Sequence, residues 1–216
     1  MAPNAPEKPI VMHPELYTWN IDWERWTKRF INPQTRVKDW DAIVEEQGTD
    51  IYTWPIFTKE FCKMIIEESE SRDDIWTVAR HEYYPTTDFL LEKIGLKDMY
   101  MKVLHEYGFP IAKHVWGLEG VSWGNNMNAE IFMAKYSLEA QGHLDSHIDE
   151  SNYSITLALN NDFKGGGTYY HRQKTLVKAP TGHVCLFPMP THKHSGRMLE
   201  DGIRYIIVAF CSKGRQ

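Results

Sequence analysis

The sequence predicts a mainly β chain with flanking N-terminal helices, an α+β arrangement in which the helices come first. Three observations carry this expectation. All eight tryptophans lie at or before Trp123, while six of the ten histidines lie at or after His143. Up to about Tyr107 apolar residues recur at helical spacing, and after Gly124 they alternate with period two between turn residues. A length of 216 residues with 42% hydrophobic content suits one compact domain or a domain with an extension. The boundary is placed between an extension, residues 1–48, and a domain, residues 49–216.

The extension opens with a proline-rich lead, Met1 to Pro9. Trp19, Trp23, Trp26 and Phe30 then recur at helical spacing beside Asp22, Glu24, Arg25 and Lys28, which predicts a helix that docks on the domain or on a neighbouring subunit. A strand-like run, Ile51 to Phe57, leads to Thr58, a suitable N-cap for a helix carrying Phe61, Met64, Ile65 and Glu68. A second helix is predicted over about Leu96 to Tyr107, stopped by Gly108 and Pro110. Short strands follow over about 130–138, 153–160, 167–172, 174–179, 182–188 and 202–211. Gly165-Gly166-Gly167 is expected to be a tight hairpin turn, because no strand–helix context makes it a phosphate loop.

Composition excludes several functions. A net charge of −5 provides no sequence-wide basic footprint, so nucleic acid is not an expected partner. The strongly apolar stretch Tyr205 to Phe210 is about a third of the roughly 20 residues a membrane span needs. Cys62, Cys185 and Cys211 form neither a CxxC pair nor a disulfide framework, though one bridge stays open. The lead has no apolar signal-peptide region, so the chain is expected to be cytosolic or a domain excised from a longer one.

The chemistry concentrates in His143-Leu144-Asp145-Ser146-His147-Ile148-Asp149-Glu150, which holds two His-x-Asp pairs four residues apart. In a strand, residues i and i+2 face the same side, so each pair would present an imidazole and a carboxylate together. A third ligand could come from His171, His183, His192 or His194. Two histidines and one carboxylate form a facial triad that favours ferrous iron and leaves coordination positions free. A closed zinc site takes four ligands, usually thiolates, and no cysteine lies beside this cluster. Ten residues beyond His194, Arg204 opens an apolar strand, where a guanidinium needs a carboxylate, either internal or from a dicarboxylate ligand.

The order His147-x-Asp149, then His194-Ser195-Gly196, then Arg204, resembles the Fe(II)/2-oxoglutarate dioxygenases, and within them the catalytic domain of procollagen lysyl hydroxylases, the giant-virus branch included. Asp149 to Asn160 followed by Asp162 to Gly167 is similar to the family's stretch after its metal aspartate. Tyr84 to Asp88 and Phe132 to Tyr136 are similar to further family segments. The resemblance spans about residues 50 to 211 and implies a double-stranded β-helix (jelly-roll) core. It also implies iron ligands at His147, Asp149 and His194, a 2-oxoglutarate arginine at Arg204 and a cosubstrate contact at Tyr136. Thr156 stands where animal members carry asparagine, and a shortened segment before His194 leaves His192 as a rival that the spacing to Arg204 disfavours.

The implied activity is hydroxylation of peptidyl lysine in collagen-like sequences to 5-hydroxylysine, with O2 and 2-oxoglutarate as cosubstrates and ascorbate as reductant. The resemblance further implies a homodimer and the endoplasmic reticulum lumen or, for a viral chain, the infected host cell. A prolyl hydroxylase would use the same triad. A non-catalytic, metal-dependent dimerisation module is the reading from another class, cued by the Trp-rich extension and the surplus His143 and Asp145, which offer a second metal site. A hydrolytic zinc enzyme ranks third, because no local motif supplies its general base.

Overall fold

The computed structural model describes residues 11–80, 83–118 and 127–213, so the proline-rich lead and the Gly124 boundary lie outside the described residues. A 3-10 turn over Pro14–Asn20 precedes α1 (Trp23–Phe30), α2 (Pro33–Val37) and α3 (Trp40–Ile43). The Trp stripe is therefore split between two helical pieces, because Asp22 accepts the Arg25 N–H and starts a fresh helix after Trp19. Trp23 and Trp26 stack with ring centroids 5.2 Å apart, and Leu16, Trp26 and Phe30 join the same core as the sheet residues Ile155 and Ile207. The stripe docks on its own chain.

The next helix, α4 (Lys59–Glu70), begins where Thr58 accepts the Phe61 N–H, as predicted. Its Glu68 carboxylate is buried and ties down the chain upstream. It accepts the N–H groups of Met12 and His13, both at 2.9 Å, the Tyr17 hydroxyl at 3.1 Å and Arg72 Nη2 at 2.7 Å. Burial pushes this carboxyl up, but the His13 N–H, Arg72 and Tyr17 outweigh it and hold it below its ordinary value of 4.5. The associated stability is thus present in full above that ordinary value and is lost as pH falls through the lower folded value. Glu68→Ala is expected to lower stability by about 3–5 kcal/mol at pH 7, since it strands Arg72 and two N–H groups. Denaturant melts of both proteins at pH 7 and pH 3 check this, and the gap should narrow at the lower pH.

Downstream, the predicted helix over Leu96 to Tyr107 does not stop at Gly108. Helix α5 (Lys97–Val103) runs through a π-helical turn, Leu104–Gly108, into α6 (Phe109–Val115). Pro110 falls in the first turn of α6, where a missing N–H costs nothing, and the wide π turn makes room for its ring. Gly108 keeps αR backbone there, so the glycine and proline that were expected to end the helix only widen it.

The strands among the described residues are β1 (Glu45–Gly48), β2 (Ile51–Pro55), β3 (Thr87–Leu90), β4 (Met127–Ser137), β5 (Leu144–His147), β6 (Tyr153–Ala158), β7 (Lys164–Gly165), β8 (Thr168–Tyr170), β9 (Thr175–Val177), β10 (His183–Pro188), β11 (His194–Gly196), β12 (Leu199–Asp201) and β13 (Ile203–Lys213). They form an antiparallel seven-stranded sheet, β1-β2-β10-β6-β13-β4-β3, a four-stranded sheet, β5-β11-β8-β9, and a two-stranded ribbon, β12-β7. β1, from the segment before residue 49, is hydrogen-bonded to β2 at the edge of the large sheet.

Period-two alternation decides which side chains reach the interior. Along β13, Tyr205, Ile207, Ala209 and Cys211 pack under the helices, while Ile206 and Val208 join Phe132, Ala134 and Tyr136 of β4 on the opposite face. The large sheet is thus covered by helices on one face and by the small sheet on the other, and a cavity of about 610 Å³ is lined by residues of both. This is the jelly-roll arrangement.

The three glycines at 165–167 do not form a hairpin. All three have positive φ, at 73°, 60° and 96°, and they carry the chain from β7, paired with β12, to β8, paired with β11. A Cβ at Gly165 would lie 2.5 Å from the Met198 carbonyl oxygen, so only glycine passes this corner between sheets. The three cysteines are buried and free, which closes the question of a bridge.

Candidate metal centre

Antiparallel pairing of β5 with β11 sets His147 directly opposite His194. A bulge in β5 between Leu144 and His147 breaks the simple alternation, and Asp149 lies in the loop just beyond the strand. Each His-x-Asp pair does bring an imidazole and a carboxylate together, but His147 and Asp149 are largely buried while His143 and Asp145 are exposed. Asp149 Oδ1 is 3.2 Å from His147 Nε2 and 3.6 Å from His194 Nε2. The ligand atoms of the three residues lie within 4.8 Å of one another, the one such group of three or more donors among the described residues.

Each imidazole is aimed by its other nitrogen. His147 Nδ1 lies 2.7 Å from the Asp145 carbonyl, and His194 Nδ1 2.9 Å from the His192 carbonyl. Both therefore carry Nδ1–H, which leaves the Nε2 atoms facing Asp149. The Ser154 hydroxyl donates to Asp149 Oδ2 at 2.5 Å, so Oδ1 is the oxygen left free. Burial alone would discharge Asp149, but the hydrogen bond with His147, the nearness of His194 and the Ser154 hydroxyl hold its carboxyl below the usual range. Burial likewise opposes charge on His147, yet Asp149 and the Asp145 carbonyl raise it above its ordinary value. At His194 burial prevails over Asp149 and pulls the imidazole down to about 4, leaving it a neutral lone-pair donor.

The other histidines go elsewhere. His192 Nε2 meets the Thr49 carbonyl at 2.9 Å, and His171 Nε2 meets the Ser195 hydroxyl at 3.1 Å, while His183 opens β10. His143 and Asp145 pair with each other at 3.5 Å, and no third donor joins them among the described residues.

Arg204 sits buried in the same cavity, opposite Tyr136 in the β13–β4 register. Its contacts are neutral: Nη1 donates to the Gly167 carbonyl at 3.3 Å, Nη2 to the Thr168 hydroxyl at 3.2 Å, and the Tyr136 ring centroid is 5.4 Å away. Among the described residues no carboxylate pairs with it, and the internal partner weighed from the sequence is not found there. Desolvation pulls its pKa below the ordinary value, while the hydroxyls of Tyr136 and Tyr170 oppose that. Tyr136 is pushed up by burial against the pull of Arg204. Thr156 lines the cavity, and its hydroxyl donates to the Cys185 carbonyl at 3.4 Å.

Three contributors were missed from sequence. Ser154 is a polar residue on the inward alternation of β6, which could have revealed it. Tyr84, whose ring lies 5.1 Å from that of His147, sits in a segment noted only for its family likeness, and Phe187, 4.9 Å from His194, has no local signal, because only the fold brings them there.

Comparison with known proteins agrees with this geometry. The profile of the OGFOD2-like domain matches residues 9–120, more than half of the chain. The chain belongs to the OGFOD2-like domain family. That match covers the helices and β1–β3, and curated relatives extend the similarity across the triad. The Caenorhabditis elegans multifunctional procollagen lysine hydroxylase and glycosyltransferase is 30% identical over 92% of this chain and 29% of its own length. Mouse procollagen-lysine,2-oxoglutarate 5-dioxygenase 2 is 31% identical over 86% of this chain and 26% of its own. The Acanthamoeba polyphaga mimivirus procollagen lysyl hydroxylase and glycosyltransferase is 28% identical over 90% of this chain and 23% of its own, so the giant-virus protein is one relative among several. The chain spans under a third of the length of these relatives.

Among solved structures, a Pseudomonas putida prolyl-4-hydroxylase has a TM-score of 0.58 at 13% identity, covering 83% of this chain and 97% of that one. A viral collagen prolyl hydroxylase from Paramecium bursaria chlorella virus-1, solved with 2-oxoglutarate, has a TM-score of 0.52 at 15% identity, covering 74% of this chain and 92% of that one. These likenesses bear on the fold and match the jelly roll.

Proposed function

We propose that this chain is an Fe(II)- and 2-oxoglutarate-dependent dioxygenase that hydroxylates peptidyl lysine in collagen-like sequences. The single observation that carries the chemistry is a buried arginine with no carboxylate among the described residues, in the same cavity as two imidazoles and one carboxylate. The triad fits a ferrous ion: His147, Asp149 and His194 would hold it on one side, leaving about three positions open. Bound there, the ion supplies the redox chemistry by which O2, 2-oxoglutarate and a C–H bond become succinate, CO2 and an alcohol.

The residues do the rest. Arg204 receives the distal carboxylate of the keto acid, which supplies the charge partner its burial lacks. Tyr136 and Thr156 line the space beside it, and the apolar walls formed by Phe132, Ile206 and Val208 exclude water from the reacting region. A C–H bond offers no acid or base handle, so selectivity comes from placement of one carbon against the metal. Lysine as the target, ascorbate as reductant, a homodimer and the endoplasmic reticulum lumen or an infected host cell rest on the resemblance to lysyl hydroxylases.

The test is incubation with Fe(II), ascorbate, 2-oxoglutarate and separate lysine-containing and proline-containing collagen-like peptides. Succinate with one oxygen atom gained on lysine is the expected result. A gain on proline keeps the chemistry and overturns the substrate, and iron binding with neither product overturns the reading in favour of the assembly module.

A further inference from the structure

The second His-x-Asp pair has no part in the site above. His143 is the one ion-pair partner that Asp145 has among the described residues, and the Asp145 side chain is 84% exposed. Both line a second cavity of about 370 Å³ whose walls include Val78, Tyr83, Tyr84 and Leu144. Tyr83, Tyr84 and Leu144 also line the triad's cavity, so the two spaces abut along shared walls, with the Tyr84 ring beside His147. Elsewhere on the rim Arg80 is already engaged by Asp88 and Glu130.

We propose that this second cavity is a subsite for a cationic side chain that flanks the target residue of an extended peptide, received against the tyrosines and paired with Asp145. The inference rests on the hydroxylase reading and deepens it by naming a determinant of substrate choice. The chemistry matches on two counts. Tyrosine rings beside a carboxylate suit an arginine or lysine, whose apolar stem packs on the rings while its head meets the charge. Asp145 also remains open to solvent, so a peptide cation reaches it without displacing a buried partner.

Spacing sets where the cation must lie. Asp145 and His143 precede His147 by two and four residues, at most about 7 to 13 Å along the chain, which the bulge shortens. A peptide crossing in extended form advances by a similar rise, so the cation belongs about two to four positions from the target. His147 and Asp149 are largely buried at the triad, while His143 and Asp145 stay exposed on the wall of the second cavity.

The experiment compares lysyl peptides that carry arginine, norleucine or glutamate at each position from two to four residues on either side of the target. Steady-state kinetics and the affinity of dye-labelled peptides are measured with the wild-type chain, Asp145→Asn and Asp145→Lys. At one of these positions wild type is expected to favour arginine over norleucine about tenfold in KM and in affinity, the effect of one exposed ion pair with an aromatic contact. Asp145→Asn should erase that preference and Asp145→Lys should reverse it toward glutamate, a reversal that loss of folding cannot produce. No preference in wild type, or a preference that survives Asp145→Lys, overturns the subsite. If labelled peptides bind with the charge preference and its reversal but no peptide is oxidised, the subsite stands and the hydroxylase reading fails.

Discussion

Replacing Asp149 with alanine is expected to slow 2-oxoglutarate turnover on the order of a thousand-fold, about 4 kcal/mol, while the chain still unfolds cooperatively. Among the described residues Asp149 is the one anion that both Nε2 atoms face, at 3.2 and 3.6 Å, and without it the two imidazoles alone must hold a divalent ion. The fold loses the Asp149 contacts with His147, His194 and Ser154, but burial opposes the carboxylate's charge and offsets part of that loss. Succinate release, Fe(II) titration and a denaturant melt on one preparation separate these effects. Activity within about tenfold of wild type, roughly 1.4 kcal/mol, would remove Asp149 from the triad. A chelator added to the wild-type chain tests the assembly alternative, which is favoured if metal removal dissociates dimers and disfavoured if it abolishes only turnover.

Arg204 should show function and stability moving in opposite directions. Arg204→Lys keeps a charge but loses the flat, two-pronged donor, so KM for 2-oxoglutarate is expected to rise about a hundred-fold, roughly 3 kcal/mol. Arg204→Met removes the charge and should abolish measurable keto-acid binding. Yet the same change should leave the ligand-free chain as stable or up to about 2 kcal/mol more stable, because a buried guanidinium with only neutral partners is costly and an apolar side chain of similar length is not. Keto-acid titration and denaturant melts without ligand check both signs. A large loss of stability in Arg204→Met would mean that the guanidinium serves the fold and not a dicarboxylate.

Much of the site could be read from the chain because its parts are local or regularly spaced. His147 and Asp149 lie two residues apart, and His194 and Arg204 are ten apart, so the order of residue types already suggested the triad and its arginine. The strands matching β4, β6, β8, β9, β10 and β13 were visible because alternation sends successive side chains to opposite faces of a sheet, whereas the short β5, β7, β11 and β12 were not predicted. Where reading failed, a nonlocal contact had replaced the local rule. Gly108 and Pro110 look like helix stops, but packing of Tyr107, Phe109 and Ile111 into the core keeps the helix going through a wider turn. Gly165 to Gly167 look like a hairpin, but pairing of β7 with β12 and of β8 with β11 makes them a corner between sheets.

By itself the sequence determined which donors exist, that the chain would be helical first and β afterwards, and that a guanidinium would lie in an apolar strand. Only the tertiary structure decided that His194 and not His192 faces Asp149, that Ser154 holds its second oxygen, and that Arg204 has neutral neighbours. The physical reason is that ligand geometry here depends on cross-strand register and one β-bulge, set by pairing between residues nearly fifty positions apart, which no local periodicity encodes.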